Sequence, residues 1–347
     1  MYRLLLLTLA LLSGWVLSVA PAQDVRIVRS SNARTPPDRD AKLAFSDANH
    51  FYAIGRSRAL VYEVGGMMIG RPAATVDNLT PGTEIRSVTS DGRKAILAVA
   101  DSSAHVHLVL LDTTTGQRED IPSSWYDPTD SDAIAALSGD GRLVSIYSES
   151  GPADSPMTVT VYDWPTKTLV VKRTSEYISA GGGFGGGVTT DGEIEFENNR
   201  VGRKIVDLKT GRLLGWFGFD SVRSPDGVWV VDFPDRTWNE SAPKDVLLKD
   251  GTNGQTRGKL DLQVADDQTF GSMHGAFCGT TGRFVLAGGR AVALYTIAGG
   301  NLLASFPAAS WRDPNVDDTD RPTVACSSSE TRVAILSGSR LTFHDLK

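Results

Sequence analysis

The sequence predicts an all-β fold: a single seven-bladed β-propeller of four-stranded antiparallel blades. Three observations carry that expectation. A turn signature recurs seven times along the chain. A second marker, an Asp in most cases soon followed by Gly, closes the third strand of most units. A spare strand stands at the N-terminus, while the last unit stops just after its third strand.

The unit is clearest from Ile85 to Gly116, IRSVTSDGRKAILAVADSSAHVHLVLLDTTTG. An apolar-alternating run ends in Ser90-Asp91-Gly92-Arg93, a tight-turn signature. Ala95 to Ala100 and Val106 to Leu111 are two further apolar runs, and Asp112 to Gly116 is a second turn. Three antiparallel strands with turn chemistry at the hairpin ends result. The first turn recurs as Ser46-Asp47-Ala48-Asn49, Gly139-Asp140-Gly141-Arg142, Thr190-Asp191-Gly192 and Pro225-Asp226-Gly227. It continues as Thr280-Thr281-Gly282-Arg283 and Ser329-Glu330-Thr331-Arg332. The second residues of these marks lie at 47, 91, 140, 191, 226, 281 and 330, giving steps of 44, 49, 51, 35, 55 and 49. Several short strands repeating at about 40–50 residues signal propeller blades. One blade cannot bury both faces alone, so blades stack in a ring.

The third strands end at Leu111-Asp112, Tyr162-Asp163-Trp164, Val206-Asp207-Leu208, Lys249-Asp250-Gly251 and Phe343-His344-Asp345-Leu346. Gly116, Gly211 and Gly254 follow three of them. The combined pattern, Ser-x-Asp-Gly-Arg, strand, then strand-Asp-x-x-Thr-Gly, resembles the WD40, YVTN and TolB-like bacterial propeller repeats over nearly all of residues 23–347. It departs from the first in having no clear Gly-His pair and few Trp-Asp pairs. The resemblance implies fold and leaves function open, because such propellers host many roles. It also implies that the connections between blades share one face with those between second and third strands.

The chain has 347 residues, 41% hydrophobic and 22% charged, enough for one large ring. A net charge of -6 and no dense basic run argue against nucleic acid or an anionic membrane as partner. Residues 1–22 read as a signal peptide: Arg3, the apolar run Leu4 to Leu17, and Ala20-Pro21-Ala22 before Gln23. An uncleaved anchor is the alternative, but the run is short for a membrane span. No Cys stands directly after it, which argues against a lipid anchor, and no later segment is apolar enough to cross a bilayer. The expectation is an exported, periplasmic or secreted monomer with no membrane span after cleavage.

In order, Val25 to Arg29 is the spare strand, expected to pair with Arg340 to Leu346 and remove both sheet edges. Residues 31–42 are a connector. Blade one runs from about Leu43 to Pro72, and blade two from Ile85 to about Ile121. Blade three starts near Ala133 with an insert from Ser148 to Pro156. The run Ser179 to Gly187 is glycine-rich but lacks the Lys-Ser/Thr of a phosphate loop. Blade four covers Glu193 to Phe219. Blade five carries the insert Pro234 to Pro243, and blades six and seven begin at Gly275 and Val324.

Two interblade loops share a pattern: Ser124-Trp125-Tyr126-Asp127-Pro128 and Ser310-Trp311-Arg312-Asp313-Pro314. Trp, Tyr and Arg dominate interface hot spots, so Trp125, Tyr126, Asp127, Trp311, Arg312 and Asp313 are candidate partner-binding residues. The alternative is that both Trp rings pack inward between blades. Asp313, Asn315 and Asp317 have the alternate spacing that opens a calcium loop, without its Gly or closing Glu. Counting back from the turns places Glu84 and His274 at the channel mouth, a second candidate metal position beside the plainer reading of a wet channel lining. Cys278 and Cys326 hold near-equivalent places in adjacent blades, either bonded or as two buried thiols. There is no C-x-x-C-H for haem and no G-x-S-x-G nucleophile elbow. The expected function is a non-enzymatic, exported binding module presenting interblade loops to a protein or envelope partner. It needs no cofactor, calcium or another divalent metal being the exception. The alternative is a lactonase-like hydrolase or quinoprotein-like oxidoreductase with its site at the channel mouth.

Overall fold

In the computed structural model, described residues run from 25 to 347. The exceptions are 34–36, 40, 47–49, 65–73, 77–78, 80–82, 104, 130–133, 150–155, 180–185, 189–192, 199–201, 219–220, 234–244, 263–273, 280–281, 289–290 and 317–321. Residues 1–22 and most of the two inserts, Ser148 to Pro156 and Pro234 to Pro243, therefore lie outside them.

The turn signature owes its recurrence to a side-chain clamp that starts one residue earlier than the mark. Thr89 donates its hydroxyl to Asp91 Oδ1 at 2.7 Å and accepts the Lys94 N–H at 3.0 Å. Asp91 Oδ1 also accepts the Arg93 N–H at 3.0 Å, and Gly92 takes the left-handed φ of 70° that closes the turn. Ser138 with Asp140, and Ser224 with Asp226, repeat the clamp. In the last unit Ser327 accepts the Arg332 N–H at 3.1 Å and Glu330, φ 58°, occupies the glycine place. The mark there is therefore Ser329, not Glu330. In the preceding unit the Ile297 N–H bonds the Gly282 carbonyl just as Thr113 bonds Arg93; the mark there, Thr281, lies outside the described residues.

The second marker works the same way. Asp112 Oδ1 accepts the N–H groups of Thr114 and Thr115 at 2.9 and 2.8 Å. Asp250 Oδ1 accepts the Thr252 N–H at 2.8 Å and its hydroxyl at 2.6 Å, and Asp163 and Asp207 bond Thr166 and Thr210 alike. The Thr252 hydroxyl is the largest cause holding the Asp250 carboxyl down at about 2.

These hairpins assemble into small four-stranded antiparallel sheets arranged as a propeller ring. The first holds Lys42–Phe45, His50–Ile54, Ala59–Glu63 and Ala74–Val76; the second Glu84–Val88, Lys94–Ala100, Val106–Asp112 and Arg118–Asp120. The third holds Ile134–Leu137, Leu143–Glu149, Pro156–Asp163 and Thr168–Ser179; the fourth Gly186–Val188, Glu193–Asn198, Gly202–Asp207 and Leu213–Phe217. The fifth holds Val222–Arg223, Trp229–Asp232, Leu247–Asp250 and Thr256–Lys259; the sixth His274–Cys278, Arg283–Ala287, Val292–Thr296 and Leu302–Phe306. The seventh combines Thr323–Cys326, Arg332–Ser337 and Arg340–Leu346 with the N-terminal Ile27–Asn32.

That N-terminal strand pairs from Ile27 opposite Leu346 to Asn32 opposite Thr342, with a bulge between Ile27 and Arg29. It begins and ends later than the expected Val25 to Arg29; Arg26 still exchanges backbone hydrogen bonds with Lys347 at 3.0 Å. The apolar core is divided among the sheet contacts. Ile54 and Leu97 share one apolar cluster, as do Leu108 and Val144, Val161 and Val206, Phe217 and Val230, and Leu248 and Phe284. Val285 and Val333 share another cluster, and Phe343 of the seventh sheet packs with Phe51 of the first, ring centroids 4.9 Å apart. Cys278 and Cys326 form a disulfide between the inner strands of the sixth and seventh sheets, with Cα atoms 4.7 Å apart.

Candidate functional site

The two Ser-Trp-x-Asp-Pro loops do different things. In the first, Trp125 ends a short 3-10 turn, Ser123–Trp125. Its half-buried ring stacks parallel on Tyr162 at 3.8 Å and meets Trp164 edge-on at 6.0 Å. The Tyr126 hydroxyl accepts the Leu108 N–H at 3.0 Å, and the Pro128 carbonyl accepts the Val106 N–H at 2.8 Å. The loop thus satisfies backbone of the strand Val106–Asp112 beyond the reach of its short outer neighbour, which pairs only with Val109 to Leu111. Asp127 is exposed and accepts the Thr129 N–H at 2.9 Å and hydroxyl at 2.7 Å. The Thr129 hydroxyl is the main reason its carboxyl sits below the usual range.

In the second loop Trp311 is 1% exposed, so it is not part of a binding surface. Its short helix, Ala308–Trp311, turns the ring into the core between the sixth and seventh sheets, where Nε1 donates to the Phe306 carbonyl at 3.0 Å. Arg312 lays its guanidinium 5.6 Å from that ring, leaving it half-exposed. Asp313 is also buried, at 4%. Its Oδ1 accepts the Asn315 N–H and side-chain amide at 3.0 and 3.1 Å; Oδ2 accepts the Ser339 N–H and hydroxyl at 3.0 and 2.8 Å. The backbone bond from Asn315 is the leading cause of its lowered pKa. The alternate spacing that suggested calcium is therefore an Asx turn clamping the hairpin between Ser337 and Arg340. Asp313 is neither a partner-facing residue nor a carboxylate with oxygens to spare, and Asp317 lies outside the described residues.

Glu84 is exposed, and its Oε2 lies 3.1 Å from Arg86 Nη1. His274 opens the inner strand of the sixth sheet, but its side chain is outside the described set. Among the described residues, no group of three or more His, Cys, Asp or Glu is placed to hold a metal. His107 of the second sheet and His105 just before its strand do share a partner that sequence reading missed: Asp101 Oδ2 lies 3.2 Å from His107 Nε2 and 3.9 Å from His105 Nδ1. That hydrogen bond from His107 is the first cause of the lowered Asp101 pKa. His344, fully buried beside the N-terminal strand, was also missed, because it reads as one more residue of the second marker. The anchors Thr89, Ser138, Ser224 and Ser327 were legible in principle, since a hydroxyl precedes each of these turns at a constant offset.

No protein-family model matches the chain, and no curated protein matches it significantly. The propeller arrangement of sheets is what defines its class. Among the described residues, no helix is long and apolar enough to cross a membrane.

Proposed function

We propose that this chain is an exported propeller of the WD40/YVTN/TolB-like bacterial type, acting as a non-enzymatic binding module. In this reading all seven sheets are blades of one ring, and the N-terminal strand closes it. Seven apolar clusters support that count, each spanning two neighbouring sheets, the last joining the seventh to the first. The signal-like residues 1–22 and the interblade disulfide support export, since such bonds persist in oxidising compartments. The repeat's turns and its third-strand Asp markers carry the resemblance.

One observation carries the binding reading: a rigid, half-exposed aromatic loop, Trp125 and Tyr126, held by ring stacking and backbone hydrogen bonds. Rigid aromatic anchors lose little entropy on docking, which favours a protein partner there. With Trp311 and Asp313 buried, the partner-binding candidates that remain are Trp125, Tyr126, Asp127 and the half-exposed Arg312. The repeat carboxylates Asp91, Asp140, Asp226 and Asp250 accept hydrogen bonds within their own turns, which suits a scaffold rather than acid–base chemistry.

The test is capture of partners from an envelope extract with the mature chain, comparing wild type with Trp125→Ala and Asp127→Ala, alongside denaturant unfolding. Lost capture with folding retained supports the reading. Capture that survives both substitutions overturns it, as does recovery of the protein from the cytoplasm with residues 1–22 intact.

A further inference from the structure

We propose that the channel wall formed by the first, second and seventh sheets binds a small organic carboxylate through Arg86 and Lys42. A cavity of about 430 Å³ lies there, lined by the inner strands that begin at Lys42, Glu84 and Thr323. That volume is within the range of small-molecule sites.

The inner strand of the second sheet differs from its counterparts. Glu84 and Ile85 pair with Ala98 and Leu97, but Ser87 pairs with Ile96, so Arg86 is an extra residue in the strand. The inner-strand pairings of the other six sheets run without a register shift. A bulge interrupts pairing and re-aims a side chain, and such bulges concentrate beside binding sites. This one is held from outside: the Ser87 hydroxyl accepts the Leu137 N–H of the third sheet at 3.0 Å. It gives the cavity a guanidinium, oriented by Glu84 at 3.1 Å.

Lys42, exposed on the opposite strand of the same cavity, has no ion-pair partner among the described residues. Among the described residues, two cations and one carboxylate stand at this wall, in a chain of net charge -6. An Arg fork matches a carboxylate in bidentate fashion, and Lys adds a point charge beside it. The remaining wall is apolar: Leu43, Ile85, Val88 and Val324. That surface suits a short hydrocarbon body, which inorganic phosphate lacks. The ligand class is therefore an organic acid with an apolar tail. The site is separate from the Trp125 loop and stands independently of the partner reading.

Hexanoate is the probe, with hexanol and inorganic phosphate as comparators, titrated into the mature chain by calorimetry and ligand-observed NMR. Hexanoate is expected to bind at least about tenfold more tightly than either comparator, and more weakly as salt rises. Lys42→Ala and Arg86→Gln should each weaken it about tenfold. Lys42 is exposed, so its variant keeps the fold. If Arg86→Gln lowers the Tm, Arg86→Lys keeps the charge without the fork and should still weaken binding. Three results would each overturn the proposal: no hexanoate binding, binding unchanged in Lys42→Ala and Arg86→Lys, or phosphate or hexanol binding as tightly as hexanoate.

Discussion

The buried histidine of the seventh sheet should make stability depend on pH across a defined window. His344 is 0% exposed in the strand Arg340–Leu346. Its Nδ1 lies 2.8 Å from Ser30 Oγ on the N-terminal strand, and its Nε2 lies 3.2 Å from Thr342 Oγ1. The Phe306 ring meets it edge-on at 5.1 Å. Burial first, and the Arg340 charge second, push the imidazole down from 6.5 to about 4, while Asp345 opposes them. A depressed histidine pKa means that the fold holds the neutral ring. Its contribution is complete above pH 6.5 and is lost as pH falls from there towards about 4. At about 1.4 kcal/mol per pH unit, that gap amounts to about 3 kcal/mol. The assay is denaturant unfolding between pH 7 and pH 4 on wild type and His344→Gln, which keeps polar partners for Ser30 and Thr342 but does not titrate. The low-lying carboxyls of Asp163 and Asp250 act below this window, where stability is lost as they protonate, and both proteins share them. The wild type should lose about 3 kcal/mol more than the variant between those pH values. Parallel profiles would show that His344 is not held neutral by the fold, and the argument fails.

Three further outcomes follow from the packing. Removing the disulfide with Cys278→Ser and Cys326→Ser should cost about 4 kcal/mol, from a sequence separation of 48, and equal unfolding midpoints before and after would contradict this. Trp311→Ala should cost about 3–5 kcal/mol in denaturant titration because the ring is buried and its N–H is bonded, whereas a change under about 0.5 kcal/mol would place the ring at the surface. Deleting residues 23–30 should expose the edge of the strand Arg340–Leu346 and take the Ser30 partner from His344, lowering both Tm and solubility; an unchanged Tm would mean that the strand does not close the ring.

The repeat was legible because its chemistry is local. Thr89, Asp91 and Gly92 bond one another and their own backbone within a few residues, so the turn appears wherever those types recur in order. Where the types drifted, as at Ser329-Glu330, the mark was read one residue late, since only hydrogen bonds distinguish the left-handed position when glycine does not occupy it. The candidate site was less legible. The two Ser-Trp-x-Asp-Pro loops look alike in sequence, yet one ring rests half-open on Tyr162 and the other is enclosed between two sheets.

By itself, the sequence determined the all-β class, the strand and turn order, and the spare N-terminal strand, because period-two patterning and turn clamps act within tens of residues. Tertiary structure alone decided that Trp311 and Asp313 turn inward, that Cys278 and Cys326 meet, that His344 lies against Ser30, and that a bulge falls at Arg86 beside a cavity. Each depends on which strand of a neighbouring sheet stands opposite. That choice is made by packing between segments far apart in the chain, and no local pattern encodes it.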